Sequence, residues 1–345
     1  MNGRRQPTLE DVAAVAGVSR ATVSRVINST RNVDPQLAQI VQAAIAETGY
    51  VPNQAARTLV TRRTDSVALV VSEGRHREFD PMLRARVFTD PFFGRVVAGS
   101  IGVLQPLGIN LVLLVADDVE SRGRLVGQLR QRHVDGVMLI STYFDDPLPA
   151  LLTEARLPAV LSRRPSTPLA MSYVDTAQHA GGALAAGQLV ARGCRRVATI
   201  TGPLDVPAAR ERLAGFRDAM AHHGQADVPA VEGTFGFESG KVAMARLLDE
   251  HPDLDGVFVG NDLMANGALV VLADRGLPVP DQMAVVGFDD GSAALTARPP
   301  LTTVRQPVED MAAEMARLLL ATIERPDLPA RSVIFEPTLV LRESA

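Results

Sequence analysis

The strongest constraint on the fold is an alternation of short apolar runs with longer amphipathic stretches, which extends from residue 66 to residue 288. Continuous apolar runs indicate strands that are buried on both faces, and helical crossovers between them indicate parallel sheets. The predicted strands are Ser66–Ser72, Asn110–Val115, Gly136–Ser141, Ala159–Ser162, Arg196–Thr201, Gly256–Gly260 and Met283–Phe288. The intervening helices include Phe93–Leu107, Val119–Arg132, Ala177–Arg192, Ala208–His223, Ser239–Glu250 and Asp262–Arg275. The series is too long for one sheet, so we expect an α/β fold with two doubly wound lobes.

Three short helices are predicted ahead of this α/β body, within residues 1–50. Thr8 and Asp11 have the spacing of a capping box, Ser19 can cap a second helix, and Asp34-Pro35 begins a third. Gly17 and Gly49 are suited to end the first and third helices. The positions expected to form the buried faces are Leu9, Val12, Ala13, Ala16, Val23, Val26, Ile27, Leu37, Ile40, Val41 and Ala44.

The first two helices, joined through Gly17-Val18, have the form of a helix-turn-helix. A plain three-helix bundle would have the same apolar periodicity, so the argument for DNA binding comes from the exposed face of the second helix. That face has no acidic residue and carries Arg20, Ala21, Ser24, Arg25 and Asn28. Arginine can bridge the O6 and N7 atoms of guanine in the major groove.

The charge distribution points the same way. Residues 1–64 contain eight arginines and four acidic residues, whereas the other 281 residues contain 27 basic and 35 acidic residues. A basic head on an acidic body favours a polyanionic partner for the head.

In the body, polar side chains follow the predicted strands, where ligands of open α/β sheets bind. The candidate ligand-binding residues are Asp90, Phe92, Phe93, Tyr143, Arg163, Arg212, Asn261 and Asp289. Asp, Asn and Arg can bridge vicinal hydroxyl groups, and Phe can stack on a sugar face. Asp90 and Asp262 could instead be helix caps or first-turn acids, and Arg164 could belong to a structural ion pair. The pattern indicates a binding cleft rather than a reaction centre.

Other classes of site find no support. There is no phosphate loop, HExxH motif or GxSxG motif, and we expect neither a cofactor nor a metal. The single cysteine, Cys194, excludes an internal disulfide, and no apolar run has the length of a membrane span. The N-terminus lacks the pattern of a secretory signal, so we expect a cytoplasmic protein.

Three segments resemble the N-terminus of the LacI/GalR family of bacterial transcription regulators. They are Thr8-Leu9-Glu10-Asp11-Val12-Ala13, Ala16-Gly17-Val18-Ser19-Arg20-Ala21-Thr22-Val23-Ser24-Arg25-Val26-Ile27-Asn28, and Gly49-Tyr50-Val51-Pro52-Asn53-Gln54-Ala55-Ala56-Arg57. The resemblance extends to about residue 342. It implies a headpiece (1–50), a hinge (51–64) and a type-I periplasmic-binding-protein-like body (65–345).

The same resemblance implies how the body is divided. The chain would cross between lobes near residues 175, 302 and 330. The first lobe would comprise about 65–175 and 303–330, with a helix at Val308–Arg325, and the second lobe about 176–302 and 331–345.

The resemblance also implies a set of DNA contacts: Thr8, Leu9, Ser19, Arg20, Ala21, Thr22, Ser24, Arg25, Asn28, Asn32, Tyr50, Asn53, Ala56 and Leu59. In the family the hinge folds on specific DNA, and Leu59 stands at the position that wedges into the minor groove. A plain flexible linker is the alternative reading of the hinge residues.

Two features depart from the family pattern. Arg163 stands where members often have an acid or an amide, which suggests either an anionic group on the effector or a side chain that turns away. Residues 73–87 resemble an insertion.

The expected function is a repressor that binds a near-palindromic operator as a homodimer and responds to a small-molecule effector, with a sugar as the family-level expectation. No heptad tail follows Arg342, which favours a dimer over a tetramer. A transporter's solute-binding protein is opposed by the basic head and the missing signal. A sugar-modifying enzyme is opposed by the lack of a nucleophile, a metal site or an acid–base pair.

Overall fold

The computed structural model describes residues 7–27, 33–51, 63–72, 89–116, 119–131 and 133–345. The chain divides into two compact units. The smaller contains the described residues before Val67 together with 133–135, and the larger contains the rest of the body.

The smaller unit contains the three predicted helices, α1 (Leu9–Ala16), α2 (Arg20–Ile27) and α3 (Pro35–Thr48). At the start of α1 the Thr8 backbone amide donates to the Asp11 carboxylate at 2.8 Å, and the Thr8 hydroxyl accepts from the Asp11 amide. Gly17 ends α1 with a φ of 65°, a left-handed conformation in which a Cβ would be strained. The core of this unit is formed by Val12, Val23, Val26, Val41 and Ala44.

One predicted core position of this unit is wrong. Ile40 is 49% exposed, whereas Ile45 packs against the core. The buried line of α3 runs through Val41 and Ala44, and a residue adjacent to Val41 is rotated by about 100° from that line.

The larger unit contains two six-stranded sheets. The first sheet has the order β11-β5-β4-β3-β1-β2. Its strands are β1 (Ser66–Ser72), β2 (Asn110–Ala116), β3 (Gly136–Ser141), β4 (Ala159–Leu161), β5 (Ser172–Thr176) and β11 (Ser332–Phe335). The helices of this lobe are α4 (Pro91–Leu104), α5 (Val119–Arg130), α6 (Leu148–Glu154) and α12 (Val308–Glu324).

The second sheet has the order β12-β10-β9-β8-β6-β7 and is parallel except for the pairing of β12 with β10. Its strands are β6 (Val197–Thr201), β7 (Ala230–Glu232), β8 (Gly256–Val259), β9 (Ala284–Asp289), β10 (Thr302–Arg305) and β12 (Thr338–Val340). Its helices are α7 (Gln178–Ala191), α8 (Pro207–His222), α9 (Phe237–Glu250), α10 (Asp262–Asp274) and α11 (Ser292–Thr296).

Two of the predicted lobe boundaries need correction. The resemblance places about 303–330 in the first lobe, but β10 pairs with β9 of the second sheet, so the chain crosses after Arg305. It places about 331–345 in the second lobe, but β11 pairs with β5 of the first sheet, so the last crossing follows Phe335. Backbone pairing with a neighbouring strand decides both cases, and the apolar pattern does not encode it. Helix α12 packs in the first lobe, as expected.

The structure also contains short strands that the sequence pattern did not predict, namely β5, β7, β10, β11 and β12. They lack a continuous apolar run of strand length. In the described part of the chain, every helix is too short or too polar to traverse a bilayer.

Candidate functional site

A cleft of about 270 Å³ lies between the two lobes of the larger unit. Residues that end or follow the strands of both sheets line it, including Ser141, Arg163, Asp175, Asn261 and Asp289. Of the predicted set, the cleft brings together Asp90, Phe92, Phe93, Arg163, Arg212, Asn261 and Asp289. Tyr143 is not part of this lining.

Arg212, on α8, is a buried cation in the wall of the cleft, with 6% of the residue exposed. Its Nε donates to the side-chain oxygen of Gln178 at 2.7 Å, and its Nη1 donates to the Gly260 carbonyl at 2.6 Å. The guanidinium lies 3.7 Å from the centre of the Phe288 ring. Nη2 makes no hydrogen bond with the described residues, so it remains available for a ligand oxygen.

Asp289 ends β9 and lies beside Arg212 on the second-lobe wall of the cleft, with 3.8 Å between its Oδ1 and Arg212 Nη1. The same carboxylate oxygen accepts a hydrogen bond from Gln306 at 2.6 Å. Burial raises the pKa of Asp289 to about 6, although the nearby Arg212 cation favours the ionised form. Its φ of 109° is strained for a residue with a side chain, so the surrounding contacts must hold it there.

Asn261 and Asp90 each combine a capping role with a place in the cleft wall. Asn261 Oδ1 accepts from the Met264 amide at 2.9 Å and its Nδ2 donates to the Phe235 carbonyl at 3.0 Å. Asp90 Oδ1 accepts from the Phe92 amide at 3.0 Å and begins α4. The capping interpretation and the cleft interpretation therefore hold together.

Asp262 is the first residue of α10 and does not line the main cleft. Its two carboxylate oxygens accept from the Thr303 hydroxyl at 2.6 Å and from the Gly291 amide at 2.9 Å. Burial raises the pKa of Asp262 well above its usual value, and the neighbouring Asp289 raises it further. Its side chain therefore links the start of α10 to β10 and to the loop after β9, all in the second lobe.

Phe92 and Phe93 both line the cleft, in an edge-to-face pair with ring centroids 5.3 Å apart. Phe93 is 5% exposed and also belongs to the core of the first lobe. Apolar ring surface beside hydroxyl-binding polar groups suits the two kinds of surface on a pyranose.

The side chains of Tyr143 and Arg163, the two remaining residues predicted to bind a ligand, are engaged by other parts of the protein. The Tyr143 hydroxyl lies 3.2 Å from Asp146 Oδ1, and burial raises the pKa of Tyr143 to about 12. The Arg163 guanidinium donates to the backbone carbonyls of Tyr143 at 2.7 Å and Arg164 at 3.0 Å. Arg163 thus lines the cleft while its donors hold the loops after β3 and β4.

Several cleft residues were missed by the sequence analysis: Phe144, Asp175, Gln178, Glu211, Phe235, Gln306 and Met311. Asp175 lies near the end of a strand, as Asp289 does, but its strand β5 is short and alternates with polar residues. Burial raises the pKa of both Asp175 and Glu211, and the negative charge of Asp175 raises the pKa of Glu211 further. Recognising β5 as a strand would have identified Asp175.

The chain matches two family models. Residues 8–53 match the model of bacterial regulatory proteins of the lacI family, and residues 186–345 match the periplasmic binding protein-like domain. The chain is 47% identical to the HTH-type transcriptional regulator CelR of Thermobifida fusca, with 100% of both chains covered. It is 34% identical to the ribose operon repressor of Escherichia coli (strain K12), covering 98% of this chain and 99% of the repressor.

Solved structures of LacI-type regulators are also similar to this chain. A CelR–cellobiose complex is similar at a TM-score of 0.75 and 43% identity, with 99% of this chain and 100% of that chain covered. The lac repressor dimer bound to operator and the anti-inducer ONPF is similar at a TM-score of 0.83 and 26% identity, with 99% of each chain covered.

The chain belongs to the LacI family.

As a LacI-family member it is a DNA-binding regulator of transcription and not an enzyme. The family therefore agrees with the sequence analysis in rejecting the solute-binding-protein and enzyme alternatives. Within the described residues, no cluster of His, Cys, Asp and Glu is arranged to hold a metal ion.

The headpiece of this LacI-family chain places the predicted DNA contacts in two environments. Ser19, Arg20, Ala21 and Arg25 are exposed on or beside α2, and the Ser19 hydroxyl accepts from the Thr22 amide at 3.1 Å. Thr22 and Ser24 are half-buried on the same helix. Thr8 caps α1, while Leu9 and Tyr50 pack against the headpiece core.

Arg20 has a protein partner in the structure, because its Nε lies 3.1 Å from Glu10 Oε1. Both side chains are exposed, so the pair contributes little stability and can exchange for another partner. The other predicted contacts, Asn28, Asn32, Asn53, Ala56 and Leu59, lie outside the described residues, as does the insertion at 73–87.

Proposed function

We propose that this chain is a repressor that binds a near-palindromic operator as a homodimer and releases or retains it according to a β-linked glucose disaccharide, such as cellobiose, in the cleft. The site of action would be the bacterial cytoplasm, where operator DNA lies. The observation that carries the proposal is the cleft itself, which combines Arg212, Asp289 and a phenylalanine pair between two lobes.

The chemistry of the cleft supports a neutral polyol. Four carboxylates, Asp90, Asp175, Glu211 and Asp289, line it together with three arginines. Sugar hydroxyls can donate to the former and accept from the latter. An anionic effector is less favoured, because the donors of Arg163 are occupied by backbone carbonyls and the cleft contains more acids than bases.

The choice of a disaccharide is supported by similarity. CelR is 47% identical over the whole chain, and the CelR structure is a cellobiose complex. The ribose operon repressor is a more distant relative at 34% identity, which makes ribose the competing effector.

Calorimetric titration of the DNA-free protein tests the effector. Cellobiose, glucose, ribose and adenosine are compared on the wild type and on Asp289→Ala. We expect the tightest binding for cellobiose and its loss in the variant. Tighter binding of ribose or adenosine, or unchanged cellobiose binding in the variant, would contradict the assignment.

Substitution of Arg20 tests the DNA interface. A duplex selected by the wild type from a random pool is compared with a scrambled duplex by fluorescence anisotropy. Arg20→Ala is expected to weaken binding to the selected duplex by about 1–3 kcal/mol and to leave the scrambled duplex nearly unaffected, because base contacts specify sequence. Unaltered discrimination would exclude Arg20 from base recognition.

A further inference from the structure

The side chain of Arg95 crosses between the lobes behind the cleft. Arg95 lies on α4 of the first lobe, and its Nη1 donates to the backbone carbonyl of Asp289 at 2.8 Å. Asp289 ends β9 of the second lobe. One hydrogen bond therefore joins the first lobe to the backbone of a residue whose carboxylate faces the ligand site.

The guanidinium is anchored firmly on the side of the first lobe. Its Nε and Nη2 donate to the two carboxylate oxygens of Glu309 on α12, each at 2.7 Å. This bidentate geometry fixes the plane of the group as well as its position. The hydrogen bond from Arg95 lowers the pKa of Glu309, which keeps that partner ionised.

The packing of α4 on α12 brings this pair together. Gly99 lies one turn after Arg95, and a Cβ on Gly99 would stand 2.2 Å from the Glu309 carbonyl oxygen. Because Gly99 has no side chain, the first turn of α12 approaches α4 closely. Glu309 is thereby held within reach of Arg95.

Arg95 also contacts a crossover between the lobes. Its Nη2 lies 3.3 Å from the carbonyl oxygen of Gln306, which stands between β10 of the second lobe and α12 of the first. The Gln306 side chain in turn donates to the Asp289 carboxylate at 2.6 Å. Asp289 is thus held at both ends, by Gln306 at its side chain and by Arg95 at its backbone.

This double hold explains how Asp289 keeps a φ of 109°. A narrow crevice beside the cleft is lined by Arg95, Asp90 and Asp289, so the contact lies at the boundary of the two lobes. A ligand that engages the Asp289 carboxylate competes with Gln306 for its oxygens. A rotation of one lobe would have to break the bond from Arg95 to Asp289 or carry Asp289 with it.

We infer that Arg95 is a positioning residue that couples occupancy of the cleft to the arrangement of the lobes, through its simultaneous contacts with Asp289, Gln306 and Glu309. Coupling requires an interaction that differs between two states, and the bond across the lobe boundary is such an interaction. The inference rests on the proposed effector site. The inference adds to that site a residue of the first lobe that acts through Asp289 and is not proposed to contact the effector.

The test compares wild type, Arg95→Met and Glu309→Gln with the control Arg317→Met. Arg317 is exposed and pairs with Glu314 within α12, so Arg317→Met removes a similar charge without touching the contact to the second lobe. Operator affinity is measured with and without saturating cellobiose, and the ratio of the two affinities is the coupling factor. Cellobiose affinity is measured separately on DNA-free protein.

In the wild type we expect a coupling factor in the usual range of about 5 to 150. Arg95→Met is expected to bring it close to one while the protein still binds cellobiose, and Glu309→Gln is expected to lower it less. The control keeps the wild-type factor. A wild-type factor in Arg95→Met would overturn the inference.

A second measurement decides the matter without an effector. Hydrogen exchange of the ligand-free protein is followed in peptides that contain residues 289–291 and 306–309. Arg95→Met should exchange faster there and at the wild-type rate in α9; unchanged exchange at 289–291 would refute the role of Arg95. If the wild type does not bind cellobiose, the proposed effector is wrong, and this measurement still judges Arg95.

Discussion

At the scale of single residues, the cleft separates side chains that look alike in sequence. Arg163 and Arg212 both follow strands and both line the cleft. Arg212 keeps one amino group available, whereas Arg163 is engaged by backbone carbonyls. The first is suited to bind a ligand and the second to hold loops.

Replacement of Arg163 should therefore lower the stability of the fold more than it lowers the affinity for the effector. Arg163→Met leaves the carbonyls of Tyr143 and Arg164 without these donors, and we expect a loss of about 1–3 kcal/mol in the free energy of unfolding. Urea denaturation measures it. The control Arg164→Met, at an exposed side chain, should stay within about 0.5 kcal/mol of wild type. Equal stability of the two variants would contradict this role.

Asp289 is expected to make effector binding depend on pH. Its pKa is raised to about 6 in the free protein, and hydroxyl donors prefer the ionised carboxylate. Binding then lowers this pKa, so affinity is full above about pH 6 and is lost as the pH falls below it. Calorimetry with cellobiose between pH 5 and 8 measures the profile.

Asp175 and Glu211 also have raised pKa values, so Asp289→Asn isolates the contribution of Asp289. The part of the decline centred near pH 6 should disappear in that variant. A profile that is identical in the two proteins would assign the titration elsewhere.

At the scale of elements, close helix pairs position the site. In the first lobe α4 and α12 pack through Phe93, Val96, Val308 and Met315. The contact of Gly99 with the Glu309 backbone sets their separation. Both helices begin next to the cleft, so their spacing affects its wall.

A methyl group at Gly99 should force these helices apart. Gly99→Ala is expected to cost about 1–3 kcal/mol of unfolding free energy, because the obstacle is backbone and cannot move aside. Gly102→Ala is the matched control on the same helix, where an added Cβ meets nothing within 4 Å, and it should stabilise by up to about 1 kcal/mol. Thermal unfolding of both variants provides the comparison, and a neutral Gly99→Ala would show that the helices can shift.

At the scale of the whole molecule, the proposed regulator depends on two headpieces that act together. Each headpiece presents the exposed face of one short helix, α2, and in its described part the core is built on five buried residues. Such a small contact surface on one half-site provides limited affinity. Linking two of them through paired bodies raises the effective concentration of the second on the DNA.

A duplex with both half-sites should therefore bind at least about 100-fold more tightly than one with a single half-site. Moving the half-sites apart by half a helical turn should remove the advantage, because the second recognition helix then faces the wrong side of the duplex. Anisotropy titrations at one salt concentration measure both. Equal affinity for the full and the half operator would indicate a headpiece that acts alone.

The sequence by itself determined the local structure and the family. Capping residues such as Thr8 and Asp34 indicate where helices begin, because they bond to backbone amides two or three residues further along. Long apolar runs such as Ser66–Ser72 indicate buried strands. Both signals depend on near neighbours, so they can be read without a fold. Seven of the eight residues predicted to bind a ligand line the cleft, and three of them, Arg163, Asn261 and Asp289, end or closely follow strands, whose ends meet at one edge in parallel sheets.

Only the tertiary structure decided which lobe receives β10 and β11, which guanidinium keeps an amino group available for a ligand, and which residues link the lobes. The partners of these groups are distant in sequence: Arg95 contacts Asp289, Gln306 and Glu309, and β11 pairs with β5. Hydrogen bonds depend on distance and direction in space. The periodicity of the sequence does not encode these hydrogen bonds, because they form only when the lobes fold against each other.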